Sequence, residues 1–193
     1  MKQNENILPF AEEAVKVLRG GGVILYPTDT IWGLGCDACN PSAVEKITVL
    51  KNRPATKNYI VLVSDLYMLG HYVEQIPEIA EQLLEVADKP LTIIYPGGIN
   101  LAPDVCSPDG SVAIRIPSQA FCQSVIRRLR RPILSTSANL SGEKAPARYS
   151  GIDLQIIKQA DWSAPSFLEA GATGKASSII KLGTGGEVEI IRP

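Results

Sequence analysis

One histidine, His71, is all the imidazole the chain has, so a His-rich metal site is excluded, and His71 itself reads as a surface or packing residue rather than a catalyst. Four cysteines include a single Cys-x-x-Cys pair, Cys36 and Cys39, while Cys106 and Cys122 stand far apart; the spacing favours buried or incidental thiols over zinc or redox chemistry. Three phenylalanines and two tryptophans offer little surface for stacking bases. An excess of one charge is also lacking. With 19 Lys and Arg against 20 Asp and Glu, the net charge of −1 argues against a broad nonspecific grip on nucleic acid. No run approaches the roughly 20 apolar residues of a membrane span. The polar start Met1-Lys-Gln-Asn-Glu-Asn6 has no apolar core of signal-peptide length, so a cytoplasmic address is expected. Neither the Gly-x-Gly-x-x-Gly fingerprint nor a Gly-x-x-x-x-Gly-Lys-Ser/Thr phosphate loop occurs, and any nucleotide must be held by another arrangement.

What is present suits a compact enzyme-sized unit. The 193 residues are 45% hydrophobic and 20% charged. A chain of this length buries roughly 70% of the surface its unfolded form exposes, without staples. The most informative stretch is Leu25-Tyr-Pro-Thr-Asp-Thr-Ile-Trp-Gly-Leu-Gly35, where a short β-branched strand, Val23 to Tyr26, delivers two hydroxyls and a carboxylate into a glycine-punctuated turn. Polar groups on a loop held by a rigid strand are where binding and catalysis tend to sit; a purely structural Asx or Ser/Thr turn is the alternative.

Helices and strands interleave along the chain. Pro9 to Gly20 reads as a helix with proline in its first turn, and Ser42 to Leu50 as another with a Ser42–Glu45 capping box. Further helices are expected over Ile76 to Val86, Ser118 to Leu129 and Ile152 to Gln159. Strands are expected over Tyr59 to Val63, Leu91 to Tyr95, Val112 to Ile116, Pro132 to Leu134, Ser166 to Leu168, Ser177 to Leu182 and Val188 to Ile191. The alternation is not strict enough for an all-parallel sheet, so the expected class is α/β with a twisted, mixed sheet flanked by helices.

Chemistry gathers at the element ends. Lys51, Arg53 and Lys57 follow the second helix, with Pro54 stopping it; such cations can clamp an anion, or balance a helix dipole. Arg115 lies inside Val-Ala-Ile-Arg-Ile, where a guanidinium is costly to bury unless it meets an acid or faces a cleft. Ser135, Thr136, Ser137 and Asn139 supply neutral donors and acceptors for phosphate, carboxylate or ribose, or else cap a turn. The run Arg127-Arg-Leu-Arg-Arg131 is explained by a solvated helix end.

These islands come in an order that resembles the YrdC-like threonylcarbamoyl-AMP synthases, across nearly the whole chain. The marks are Tyr-Pro-Thr-Asp-Thr-Ile-Trp-Gly-Leu at 26–34, Lys-Asn-Arg-Pro at 51–54, Ser-Val-Ala-Ile-Arg-Ile-Pro at 111–117, Ser-Thr-Ser-Ala-Asn-Leu-Ser-Gly at 135–142 and Ile-Arg-Pro at 191–193. The resemblance implies a single YrdC-like domain over 1–193 with a concave cleft, of the short form. It implies condensation of L-threonine, bicarbonate or CO2, and ATP into threonylcarbamoyl-AMP and pyrophosphate, for modification of adenosine in tRNA. By the same resemblance Lys51 and Arg53 are catalytic; Arg53, Lys57, Ser111, Asn139 and Arg192 bind ATP; and Thr30, Arg115, Ser137 and Ser177 bind threonine. Mg²⁺ is expected through the ATP phosphates rather than a protein site, with tRNA or downstream transfer proteins as partners. Asp29 reads as a residue that orients others, since its charge would repel the anionic substrates. Departures are Leu62, near which relatives with an appended domain often carry histidine, and Ala145-Pro-Ala147 where they have Ser-Pro-Thr. An RNA-binding module of the same fold, without adenylate synthesis, is the alternative reading.

Overall fold

The computed structural model describes residues 2–51 and 59–193; Arg53 and Lys57 lie outside them. Among the described residues nine strands form one mixed sheet in the order β7-β1-β2-β6-β3-β5-β4-β8-β9. In chain order these are β1 (Ile24–Pro27), β2 (Trp32–Asp37), β3 (Ile60–Leu62), β4 (Leu91–Tyr95), β5 (Val112–Arg115), β6 (Ile133–Ser137), β7 (Trp162–Ser163), β8 (Ser178–Leu182) and β9 (Val188–Arg192). The helices are α1 (Lys2–Arg19), α2 (Pro41–Leu50), α3 (Leu66–Leu69), α4 (Glu78–Val86), α5 (Ala120–Leu129) and α6 (Leu154–Gln159).

Register decides which side of the sheet is core. Cys36, Leu134, Val61, Ile114, Ile93 and Ile180 stand opposite one another on successive strands, and all are buried. They join Ala14 and Leu18 of α1 and Phe121, Val125 and Ile126 of α5 in one apolar cluster, with α1 packed along α5. Because successive side chains alternate faces, the neighbouring row Gly35, Ser135, Ile60, Ala113 and Ile94 is presented on the other face, where the small and polar residues leave room.

Several expected elements differ from those observed. The helix placed at Pro9 begins at Lys2, so Pro9 lies inside α1, where it removes one backbone donor. The cap of α2 is Asn40, whose side chain accepts from the N–H groups of Ser42 and Ala43, and not the Ser42–Glu45 box; Pro41 then occupies the first turn, where its missing donor costs nothing. The glycine-punctuated stretch ending at Gly35 reads as turn, yet Trp32–Asp37 form β2, fully buried. Its glycines are there for clearance: a Cβ at Gly35 would stand 2.7 Å from Cε1 of Tyr26 and 2.9 Å from Cγ2 of Ile133. The strand expected at Ser166 to Leu168 is a single 3₁₀ turn, Ser166–Glu169, entered through Pro165. Leu91–Tyr95 has the expected bounds.

Candidate active site

The turn between β1 and β2 is built by Thr28. Its Oγ1 donates to the carbonyl of Ile31 at 2.8 Å, accepts from the N–H of Thr30 at 3.1 Å, and lies 2.8 Å from Thr30 Oγ1. A second segment clamps this turn from outside, the N–H groups of Thr173 and Gly174 donating to the carbonyls of Asp29 and Thr30 at 2.9 and 2.8 Å. The turn is thus a Ser/Thr motif, and it also carries the acid that meets Arg115. Asp29 Oδ1 pairs with NH1 of Arg115, while Oδ2 accepts from the N–H of Ser118 at 3.1 Å and its hydroxyl at 3.3 Å. Both partners are buried. The guanidinium therefore has both features a buried arginine needs: an acid, and a cleft, because Arg115 also lines a cavity of about 330 Å³. Its Nε is buried and without a hydrogen-bond partner.

That cavity lies over the hydroxyl-rich face of the sheet and brings together Thr30, Arg115, Ser137, Ser177 and Arg192, along with Thr28, Trp32, Tyr59, Ser135 and Ile179. Arg115 faces Thr92 across β5 and β4; Thr92 Oγ1 lies 2.8 Å from Ser177 Oγ. The Ser177 carbonyl accepts from Nε and NH2 of Arg192 at 2.8 and 2.6 Å. Partial burial lowers the Arg192 pKa from its ordinary value. On the same face of the sheet, Tyr26 is fully buried and donates to Ser135 Oγ at 2.8 Å; burial pushes its phenol well above the ordinary value, so it stays a donor.

Lys51 and Asn139 sit in an adjoining hollow of about 190 Å³ that shares Thr136 and Ser137 with the main cavity. Lys51 is buried, and Nζ donates to the carbonyls of Ser137 and Asn139, both at 2.6 Å, and to Asn139 Oδ1 at 3.2 Å. One ammonium thus holds the 137–139 turn while placing a positive charge beside it. Ser111 is not among the residues lining either hollow. Its hydroxyl donates to Asp109 Oδ1 at 2.6 Å, and Asp109 Oδ2 accepts from Lys181 Nζ at 3.0 Å. Those bonds hold the Asp109 carboxyl well below the usual range, the Ser111 hydroxyl first among them.

Sequence reading gave no role to Glu169 or to the side chain of Trp32. Glu169 Oε2 accepts from Trp32 Nε1 at 2.6 Å and from the Tyr149 N–H at 2.8 Å, and the Trp32 and Tyr149 rings pack 5.0 Å apart. Trp32 stood inside the motif, but nothing local pointed to an acid far along the chain. Outside the cavity, His71 is exposed and edge-packed on Tyr67. Cys36 and Cys39 are not disulfide-bonded; burial raises both thiols, Cys36 the more. Among the described residues no cluster of His, Cys, Asp and Glu is placed to hold a metal ion, and no helix is long and apolar enough to cross a membrane.

A cavity floored by a mixed sheet, with a buried acid-locked arginine, ringed by hydroxyls and flanked by a lysine hollow, marks an α/β protein whose cleft has the groups that suit an anion. The Sua5/YciO/YrdC family model, described as "Telomere recombination", matches residues 16–193, and the chain belongs to this family. A threonylcarbamoyl-AMP synthase from Stenotrophomonas maltophilia (strain K279a) is 36% identical over 154 residues, 78% of this chain and 82% of that protein. The structure of Escherichia coli YciO superposes with a TM-score of 0.81 at 26% identity, covering 96% of this chain and 89% of that one. Pyrococcus abyssi Sua5 complexed with L-threonine gives 0.77 at 29% identity, covering 89% of this chain and 50% of that one. The chain spans about half the length of the Sua5 structures it matches.

Proposed function

We propose that this protein is a threonylcarbamoyl-AMP synthase, condensing L-threonine, bicarbonate or CO2, and ATP into threonylcarbamoyl-AMP and pyrophosphate in the cytoplasm, for the threonylcarbamoyl modification of adenosine in tRNA. The observation that carries the reading is the Arg115 guanidinium, fixed by Asp29 on the wall of a hydroxyl-lined cavity. A fixed cation of that kind suits an amino-acid carboxylate, which accepts in the plane of the fork. The S. maltophilia relative of that name and the threonine-bound Sua5 relative support the same reading.

The chemistry asks the protein mainly to position. The neutral threonine amine adds to CO2 and loses a proton to solvent, giving a carbamate; a carbamate oxygen attacks the α-phosphorus of ATP; the bond from that phosphorus to the bridging oxygen breaks, and pyrophosphate leaves. Two anions must touch, so the site has to offset their repulsion. Arg115 takes the threonine carboxylate, with Thr30, Ser137 and Ser177 around the rest of the amino acid. Lys51 and Arg53 stabilise charge at the phosphates as pyrophosphate departs, and Arg53, Lys57, Asn139 and Arg192 hold the nucleotide; Ser111, bonded to Asp109 outside both hollows, is left out of that set. Asp29 is committed to Arg115 and Ser118; Mg²⁺ would enter with ATP as part of the substrate and offset the charge of its phosphates. No side-chain nucleophile is required.

Incubating the protein with ATP, bicarbonate and single amino acids, and following pyrophosphate together with the adenylate product, tests this. Turnover that depends on threonine is expected. Pyrophosphate release indifferent to any amino acid overturns the reading, and equal rates with serine, glycine and threonine overturn the threonine pocket.

A further inference from the structure

Three segments distant in sequence meet on one carboxylate oxygen. Oε2 of Glu169 accepts both the indole N–H of Trp32, at 2.6 Å, and the backbone N–H of Tyr149, at 2.8 Å. Trp32 opens β2 and lines the cavity, and Tyr149 follows a loop whose Ala145 lines it too. Glu169 ends the 3₁₀ turn that leads into Thr173 and Gly174, the residues clamping the Asp29–Thr30 backbone, and then into Ala176 and Ser177 on the cavity wall. Trp32 is 1% exposed, so its indole N–H, on losing this acceptor, has no other partner in the wall that Glu169 builds. We propose that Glu169 is a positioning residue for the amino-acid site. It holds Trp32 and the 145–149 loop as one rigid wall beside Arg115, and thereby sets affinity for the amino acid without touching it.

The proposal rests on the threonine reading and makes a distinction of its own. Both bonds land on a single oxygen, so the amide oxygen of glutamine can accept both without the negative charge, whereas alanine accepts neither. In Glu169→Ala the threonine Kd is expected to rise roughly ten-fold, the scale of a lost charge-assisted bond. Under the same conditions the ATP KM stays unchanged, and kcat at saturating threonine stays within about two-fold. Glu169→Gln should return threonine Kd to within about three-fold of wild type. A readout independent of activity is hydrogen exchange at the indole N–H of Trp32. It is slow in wild type and Glu169→Gln and fast in Glu169→Ala, while Trp162, whose N–H donates to Glu13 at 3.0 Å, serves as the internal reference. Equal threonine Kd in wild type and Glu169→Ala, or loss of threonine and ATP binding together, overturns the proposal, as does a glutamine variant as impaired as the alanine one. Wild-type protein that binds threonine but forms no adenylate rejects the synthase reading alone; wild-type protein that binds no threonine rejects both.

Discussion

Asp29 and Arg115, 86 positions apart in sequence, form a buried ion pair in which the acid belongs to a turn and the base to the end of a central strand. The pair joins the stability of the fold to recognition at the cavity. Removing the acid alone strands a guanidinium. Asp29→Ala is expected to lower unfolding free energy by about 3–5 kcal/mol, whereas Asp29→Ala with Arg115→Met regains much of that loss. Urea unfolding of the single and double variants measures the difference. Threonine binding should be lost in both.

Lys51 serves two ends. Because its ammonium bonds the carbonyls on either side of Ala138 and the Asn139 side chain, Lys51→Ala should both loosen the 137–139 turn and remove the charge beside it. A fall in pyrophosphate release of about 100-fold or more is expected, on the scale of losing a charge-stabilising group. Arg127→Ala and Arg128→Ala, on the exposed end of α5, should leave the rate unchanged. Arg131 differs from its neighbours, since NH1 pairs with the buried Asp37 at 2.9 Å. Its own side chain is 58% exposed, but Arg131→Ala leaves the 3% exposed Asp37 carboxylate without its cation, so a loss of about 1–3 kcal/mol is expected in denaturant titration, with the rate intact.

Gly35→Ala tests whether β2 needs its glycines for space. The added methyl would press on the Tyr26 ring, Ile133 and, at 3.1 Å, the carbonyl of Leu134. A loss of roughly 1–3 kcal/mol follows from overpacking a close-fitting interior. A lowered Tm, with Tyr26 displaced from Ser135 in a crystal structure of the variant, is the expected result.

Alkaline pH should destabilise the protein for a stated reason. Burial holds the thiols of Cys36 and Cys122 well above their ordinary 9.0 and the phenol of Tyr26 well above its ordinary 10.0. The unfolded chain then sheds these protons first, so the stability they carry is complete below pH 9.0 and is lost progressively as pH rises beyond it. Urea midpoints measured from pH 8 upward should fall, and Cys122→Ser with Cys36→Ala should flatten the decline.

Legibility in the sequence followed how local the cause was. Leu91–Tyr95 is a strand wherever it is placed, since its β-branched run and flanking breakers settle the matter within a few residues. β2 is illegible for the opposite reason: Gly33 and Gly35 read as turn residues, and only the Tyr26 ring lying over them shows why the strand there has no room for larger side chains. Asn40 took the cap because Pro41 beside it fits the first helical position. In the site, Arg115 stood out by its cost of burial, but which acid it would meet depended on tertiary packing. Glu169 is hidden by its partners, which lie 137 and 20 residues away.

The strand order gives the cavity two rims of unequal stiffness. Arg115 is carried by β5, which is hydrogen-bonded on both flanks, while Arg192 is carried by β9, the outermost strand, bonded on one flank through an irregular register at Ile179 and Ile180. Opening one costs the centre of the sheet; opening the other costs a single ladder. Backbone amides of residues 188–192 should therefore exchange far sooner than those of 112–115. The margin that carries Arg192 is therefore the part of the rim that yields first, and the arginine at the centre the part that yields last.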